Sequence, residues 1–351
     1  MPGKNGIFSR QERVMVNKDK PLIAVTMGDI TGIGPEILVK IIVGGPPDKC
    51  RLLVVGDALV LRSSFKALGA KFDLPVFRSI EEVAASDAPV MVLDLAQGGS
   101  ELLALARPHP EAGRMAAEAL IQSAKWGKEG KVDAVVFGPL VKETIYLGKK
   151  KYNDETQMMR EQLEAPLIKS VAKIGNIFRV TIAEHVPLVK IPEFITKENV
   201  LEAIKMLQEA LTMYGIKSPR IAVATLNPHA GESGMVGREE IDYIAPAIEE
   251  AKKKDIDVYG PVPADTVYVR AFKGQYDGVV NMYHDQANIA LKMAGFGEIV
   301  IIFTRSPVII TTPSHGPAYG KAGKGTADPD NLRAAVEVAA SLARSRRAGE
   351  V

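Results

Sequence analysis

The sequence predicts an α/β fold built on a largely parallel sheet. Apolar runs of strand length alternate with stretches of helical periodicity along the chain, and a glycine-rich or polar turn follows almost every run. With 351 residues and no composition break, the length predicts two domains, or one core shared by two lobes. Boundaries are expected near Gly138 and Gly295: a leader over 1–20, one lobe from 21–138 plus 296–351, and a second over 139–295.

Composition narrows the function. Hydrophobic residues make up 46% and charged residues 25%, with 44 basic against 42 acidic side chains and a formal charge of +2. This is ordinary globular usage. No basic stripe with interleaved aromatics appears, which argues against nucleic acid as a partner and leaves small anionic metabolites. The single cysteine, Cys50, excludes a disulfide framework and a cysteine-rich zinc site, and fits a reducing cytoplasm. Residues 1–20 lack the apolar stretch of a signal peptide, and no run approaches the roughly 18 apolar residues of a membrane span.

In order, Pro21 to Met27 reads as a buried strand. Gly28-Asp29-Ile-Thr31-Gly32-Ile-Gly34-Pro35-Glu36 then opens a helix to about Val43, with Pro35 suited to the first turn and Glu36 to the positive end of the dipole. Strand, glycine turn and helix form an anion-binding geometry, and equally a tight turn with no ligand. The third glycine of a dinucleotide fingerprint is missing. Arg51 to Gly56 is a strand, Asp57 caps a helix to about Leu68, and Val90 to Asp94 is a strand. Glu111 to Lys128 is an amphipathic helix in which Trp126 packs, and His109 in Arg-Pro-His-Pro reads as a solvated loop histidine.

Val132 to Phe137 is a strand, followed by a poorly periodic, lysine-rich stretch at Gly148 to Lys151. Asp154 then caps a helix. Asn176 to Ala183 is a strand leading to His185, Lys197 to Tyr214 a helix, and Arg220 to Thr225 a strand leading to His229, with Gly234 and Gly237 keeping that loop open. Glu239 to Lys254 is a helix and Val258 to Val262 a short strand. The run from Gly278 to Met282 is a strand ending in Tyr283-His284-Asp285-Gln286, a turn that starts the helix carrying Lys292. Ile299 to Phe303 and Val308 to Thr311 are apolar runs before a glycine-rich segment, and Asn331 to Arg346 is the last helix.

Three of the five histidines, His185, His229 and His284, share one setting: a loop just after a predicted strand. Turns beyond strand C-termini are where parallel sheets bind ligands. Neutral imidazole is the commonest metal ligand, and each of the three stands near an acid or amide, Glu184, Asn227 or Asp285. A metal site assembled from distant parts of the chain is expected. A lone loop histidine is more often structural, and it is the matching positions that shift the balance. Lys292 reads either as a surface lysine or as a proton donor to the same pocket. Asp265 and Asp285 read either as orienting groups or as caps and turn formers. No Gly-x-Ser-x-Gly and no Cys-His pairing supports acyl-enzyme chemistry.

Thr26-Met-Gly-Asp-Ile-Thr-Gly-Ile-Gly-Pro-Glu36, Leu226-Asn-Pro-His-Ala-Gly-Glu232, Tyr283-His-Asp-Gln286, and His315-Gly with Gly323-Lys-Gly-Thr-Ala-Asp328 together resemble the 4-hydroxythreonine-4-phosphate dehydrogenase family, which includes the 4-phospho-D-threonate and 4-phospho-D-erythronate dehydrogenases. The resemblance implies a two-lobed, isocitrate/isopropylmalate-dehydrogenase-like fold with the active-site cleft between lobes. It also implies a homodimer whose subunits share the site, and a place in pyridoxine biosynthesis. It maps the metal ligands onto His185, His229 and His284, substrate contacts onto Glu155, Thr156 and Lys292, and acid–base roles onto Lys292, Asp265 and Asp285. Cofactor contacts fall in the C-terminal glycine-rich segment, at Gly316, Gly323, Thr326, Asp328 and Asn331. NAD or NADP and a divalent ion (Zn, Mn, Co or Mg) are the implied cofactors.

The chain departs from the family at three positions: Glu155 replaces a histidine, Ile301 an asparagine and Ile310 an arginine. These changes remove anion-binding groups. The expected reaction is oxidation of a 4-phosphohydroxythreonine-like or 4-phosphothreonate-like hydroxy acid, followed by decarboxylation. The alternatives are a dehydrogenase for a non-phosphorylated diol acid such as a carboxylated cis-dihydrodiol, an NAD-independent metal-dependent hydrolase or isomerase, and a non-enzymatic binding protein.

Overall fold

The computed structural model describes residues 19–149, 151–295 and 298–349, so the expected leader lies almost wholly outside the described residues. In chain order the elements are β1 (Leu22–Thr26), α1 (Gly34–Val43), β2 (Arg51–Gly56), α2 (Ala58–Ala67), β3 (Val76–Phe77), α3 (Ile80–Ala85), β4 (Val90–Asp94), α4 (Pro110–Lys128), β5 (Ala134–Phe137), α5 (Lys142–Gly148) and α6 (Glu155–Gln162). Next come β6 (Lys169–Ile174), β7 (Ile177–Ala183), α7 (Ile191–Phe194), α8 (Lys197–Met213), β8 (Ile221–Ala224), α9 (Ala245–Lys252), β9 (Val258–Val262), α10 (Ala264–Phe272), β10 (Gly278–Tyr283) and α11 (His284–Ala294). The chain closes with β11 (Val300–Thr304), β12 (Ile309–Pro313) and α12 (Asp330–Arg347).

Two compact units result: the chain up to Ile168 with Arg305–Arg344, and Lys169–Thr304 with the residues from Ser345. The divisions thus fall after Ile168 and Thr304, in place of the expected Gly138 and Gly295. The reason is packing. α5 and α6, which follow Gly138, lie on α4 of the first unit. β11, which follows Gly295, pairs antiparallel with β6 of the second.

In the first unit the strand order is β3-β4-β2-β1-β5-β12, parallel throughout. β1, β2 and β5 are buried along their whole length, as strands covered on both faces must be. In the second unit the order is β11-β6-β7-β10-β8-β9. Here β7, β10, β8 and β9 are parallel and β6 is antiparallel to both neighbours, so the largely parallel sheet expected from sequence is present.

Caps mark several helix starts. Asp57 accepts hydrogen bonds from the Leu59 and Val60 amides, and Asp154 from that of Gln157. His109 is a helix cap where a solvated loop residue was expected: its Nδ1 accepts from the Glu111 amide at 3.2 Å. α5 and β6 escaped the sequence reading, because short elements with charged residues carry little periodicity. Trp126 is buried, as expected. No helix among the described residues is long and apolar enough to cross a membrane.

Candidate active site

The histidines are delivered by three adjacent parallel strands. β10 lies between β7 and β8, with Tyr283 opposite Ala183 and Val280 opposite Val223, so the C-terminal ends sit side by side. His185 follows β7, His284 opens α11 directly after β10, and His229 follows β8. The rings of His185 and His284 have centroids 5.6 Å apart. His284 Nδ1 lies 2.7 Å from Asp285 Oδ1, and His229 Nδ1 lies 2.8 Å from Glu232 Oε1. A carboxylate on Nδ1 turns Nε2 outward, as metal-binding histidines require. The bond from Glu232, with the nearby charge of Asp265, pushes the pKa of His229 up.

Among the described residues, no three His, Cys, Asp or Glu side chains stand together as a metal-holding group. The donor chemistry fits a divalent cation, and His185 with His284 forms the close pair. His229 is not drawn into a three-histidine cage.

The backbone around His229 is unusual. From His229 to Ser233 every residue is left-handed, with φ between 43° and 73°. Each non-glycine residue so held costs about 1–2 kcal/mol. Glu240, only 3% exposed, clamps the neck of this loop. One of its carboxylate oxygens accepts the Leu226 and Asn227 amides, each at 2.8 Å, and the other accepts Asn227 Nδ2 at 3.0 Å. Gly237 does not hold the loop open as expected. It lets the backbone close on the Asn227 side chain, where a Cβ would stand 2.4 Å from Nδ2.

A groove of 680 Å³ runs from this end along α10 and α11. Its polar end carries His229, Asp265 and Asp285, and its far end is apolar, with Val269, Phe272, Ile289 and Met293. Asp265 sits in the first turn of α10 and caps nothing there. Lys292 is exposed on the last turn of α11, two turns or about 12 Å along the axis from His284, and does not line the groove.

Besides Glu240, two supporting groups escaped the sequence reading. Gln286 ties β10 to β8, donating to the Thr225 carbonyl at 2.8 Å and accepting from the Met282 amide at 2.9 Å. Buried Arg179 donates to Thr181 Oγ1, to Glu184 Oε1 and to Asn288 Oδ1, under the His185 and His284 ends. An arginine inside an apolar strand run was a legible signal. Glu240 gave none, being one of many helix-start acids.

The other expected contacts lie in the first unit. Glu155 and Thr156 occupy the first turn of α6. Burial pushes the Glu155 carboxyl pKa up, and Asp154 adds to it. Gly316, Gly323, Thr326, Asp328 and Asn331 fall between β12 and the start of α12. Thr326 and Asp328 are exposed. Asn331 is buried, and its Oδ1 has no hydrogen-bond partner in the protein. That orphaned acceptor fits a ligand bringing a donor, such as an adenine amine or a ribose hydroxyl. Of the departures, Ile310 is fully buried in β12, and Ile301 packs half-buried against the core of the second unit.

The glycine turn after β1 resolves in favour of the tight turn. A Cβ on Gly34 would stand 1.9 Å from the Met27 carbonyl oxygen. The chain's own Asp29 supplies the anion: its buried carboxylate accepts Thr31 N–H and Oγ1, Thr144 Oγ1 and Tyr319 Oη, at 2.7–3.0 Å.

Exposed imidazoles and carboxylates at the C-terminal ends of parallel strands are the layout of an α/β enzyme acting on a small molecule. The sequence model of the family described as pyridoxal phosphate biosynthetic protein PdxA matches residues 48–339. The 4-hydroxythreonine-4-phosphate dehydrogenase of Desulforapulum autotrophicum is 34% identical over 326 residues, which is 92% of this chain and 95% of that protein. The crystal structure of the 4-hydroxythreonine-4-phosphate dehydrogenase from Klebsiella pneumoniae superposes with a TM-score of 0.82 at 32% identity, covering 92% of this chain and 98% of that one. A terephthalate 1,2-cis-dihydrodiol dehydrogenase from Burkholderia xenovorans reaches a TM-score of 0.60 at 25% identity, covering 92% and 98%. The chain belongs to the PdxA family.

Proposed function

We propose that the protein is a divalent-metal- and NAD(P)-dependent dehydrogenase. Its substrate is a hydroxy acid of the 4-hydroxythreonine-4-phosphate or 4-phosphothreonate kind, and decarboxylation follows oxidation. The observation carrying this reading is that the chain belongs to this family and keeps His185, His229 and His284 at the ends of three neighbouring parallel strands. When bound, the metal would lower the pKa of a secondary hydroxyl and the dinucleotide would accept its hydride. His185, His229 and His284 would hold the metal, the latter two oriented through Nδ1 by Glu232 and Asp285. Asp265 or Lys292 would move the proton, and Glu155 and Thr156 would contact the substrate. Gly316, Gly323, Thr326, Asp328 and Asn331 would receive the dinucleotide. A homodimer is part of the proposal. The exposed apolar residues Ile289 and Met293 on α11 favour a second copy there, and Lys292 lies on the same helix. A reducing cytoplasm suits the free, buried Cys50.

A second reading has its own support. Ile301 and Ile310 replace two polar family residues with apolar, buried or half-buried side chains, which favours a non-phosphorylated diol acid. The higher TM-score to the phosphate-substrate enzyme, 0.82 against 0.60, favours the first. The test is NADH formation at saturating NAD with zinc, manganese or magnesium, on 4-phosphohydroxy-L-threonine, 4-phospho-D-threonate, D-threonate and a carboxylated cis-dihydrodiol. Turnover of a phosphorylated substrate that His229→Ala abolishes is expected. Turnover of only an unphosphorylated one would favour the second reading, and silence from all four with no bound metal would sink both.

A further inference from the structure

We infer that Glu36 and Lys40 on α1 are positioning residues for the dinucleotide, acting by holding the glycine-rich segment that precedes α12. The inference rests on the cofactor reading above and says what keeps that surface in shape.

Glu36 and Lys40 stand one turn apart and pair at 2.9 Å. An isolated surface pair of this kind contributes little. This one does more than pair. Glu36 Oε1 accepts the Ala327 amide at 2.8 Å and Oε2 accepts the Gly325 amide at 3.2 Å. Lys40 Nζ donates to the carbonyls of Gly325 at 2.9 Å and Ala327 at 2.6 Å. All three ammonium protons are therefore used, one on Glu36 and one on each carbonyl. Two side chains thus read the full polar edge of residues 325 and 327, as a neighbouring strand would. Glu36 is 8% exposed and Ala327 is 2% exposed, so the Glu36–Ala327 half of the clamp is shielded from water, while Gly325 and part of Lys40 meet solvent.

The same sequence motif holds the segment at two further points. The Ile33 amide donates to the Pro317 carbonyl at 2.9 Å, and Tyr319 Oη donates to Asp29 at 2.7 Å. A Cβ on Gly32 would strike Pro317 at 2.4 Å, which explains that glycine. The run from Asp29 to Lys40 is thus a template for residues 317–327. Thr326, between the two clamped residues, is left exposed, with Asp328 exposed beyond it. These are two of the positions assigned to the cofactor.

Backbone held this way is preorganised, and loosening it reduces affinity for the ligand it presents. The test uses the full chain as Lys40→Met and Glu36→Gln. Dinucleotide affinity is read by NADH fluorescence, KM is measured separately for NAD and for the hydroxy acid, and amide exchange is followed over residues 323–328. We expect NADH binding weakened about ten- to hundredfold, the scale on which removing an orienting partner acts. The KM for NAD should rise in step, the KM for the hydroxy acid should hold, and exchange at Gly325 and Ala327 should quicken. Faster exchange with unchanged NADH affinity overturns the inference alone. A rise in both KM values together with a lower melting temperature, or a rise in neither, also overturns it. A wild-type chain that binds no dinucleotide shows instead that the cofactor reading has failed, and the inference goes with it.

Discussion

Glu155 stands in the first turn of α6, and its surroundings oppose its charge. Its folded pKa lies above the usual carboxylate value of 4.5, first because burial disfavours the anion and then because Asp154 repels it. The folded state therefore binds this proton more tightly than the unfolded chain. No penalty exists below the unfolded pKa, and stability is lost as pH rises through the folded one. Glu155→Gln should melt with the wild type near pH 4 and above it at pH 8. A glutamine variant that melts lower at pH 8 would show that ionised Glu155 is stabilised by something its neighbours do not reveal. Cys50 shows the same physics in a thiol, since burial pushes its pKa up to about 11, which leaves it inert.

At the scale of elements, the loop after β8 shows how one buried side chain sustains strained backbone. Glu240 belongs to a π-helical turn, Glu240–Ile244, that leads into α9, and it satisfies two amides and a side-chain nitrogen at the loop's neck. In Glu240→Ala those donors lose their acceptor, at about 1–3 kcal/mol for each that stays buried. Urea unfolding should report that loss, and zinc or manganese titration should report weaker binding as His229 leaves its place. An unchanged metal affinity would separate the clamp from the site. The glycine turn before α1 makes a complementary point. Its spacing resembled an anion cradle, yet backbone from Gly138 and Pro139 and the side chain of Asp29 fill it. A turn sequence specifies a geometry, and only its neighbours decide what occupies it.

For the whole molecule, the question is what covers α10 and α11. Val269, Phe272, Ile289 and Met293 are all more than 40% exposed, and they continue from the groove that holds His229, Asp265 and Asp285. Contiguous exposed apolar surface marks an interaction site. If a second copy covers it, Ile289→Glu with Met293→Glu should shift light scattering from dimer to monomer and abolish turnover while each chain stays folded. A monomeric wild type, or a dimeric variant, would refute that role for the face.

Much of this was legible beforehand, for reasons that differ by element. β2 and α1 match their sequence limits because a fully buried strand is a continuous apolar run and Pro35 and the glycines punctuate the helix. The three strand-end histidines were legible too, since a polar residue after an apolar run marks a strand C-terminus. α5, β6 and the unit boundaries were not, because they follow from what packs against α4 and β11, which no local pattern encodes. By itself the sequence determined the α/β class, the strand ends and the residues standing at them, for these depend on local periodicity and on chain punctuation. Only the tertiary structure decided that β10 lies between β7 and β8, that Glu240 holds the His229 loop, and that Glu36 and Lys40 grip residues nearly three hundred positions away. Those contacts join segments distant in sequence, and their energies depend on burial and geometry that exist once the chain has folded.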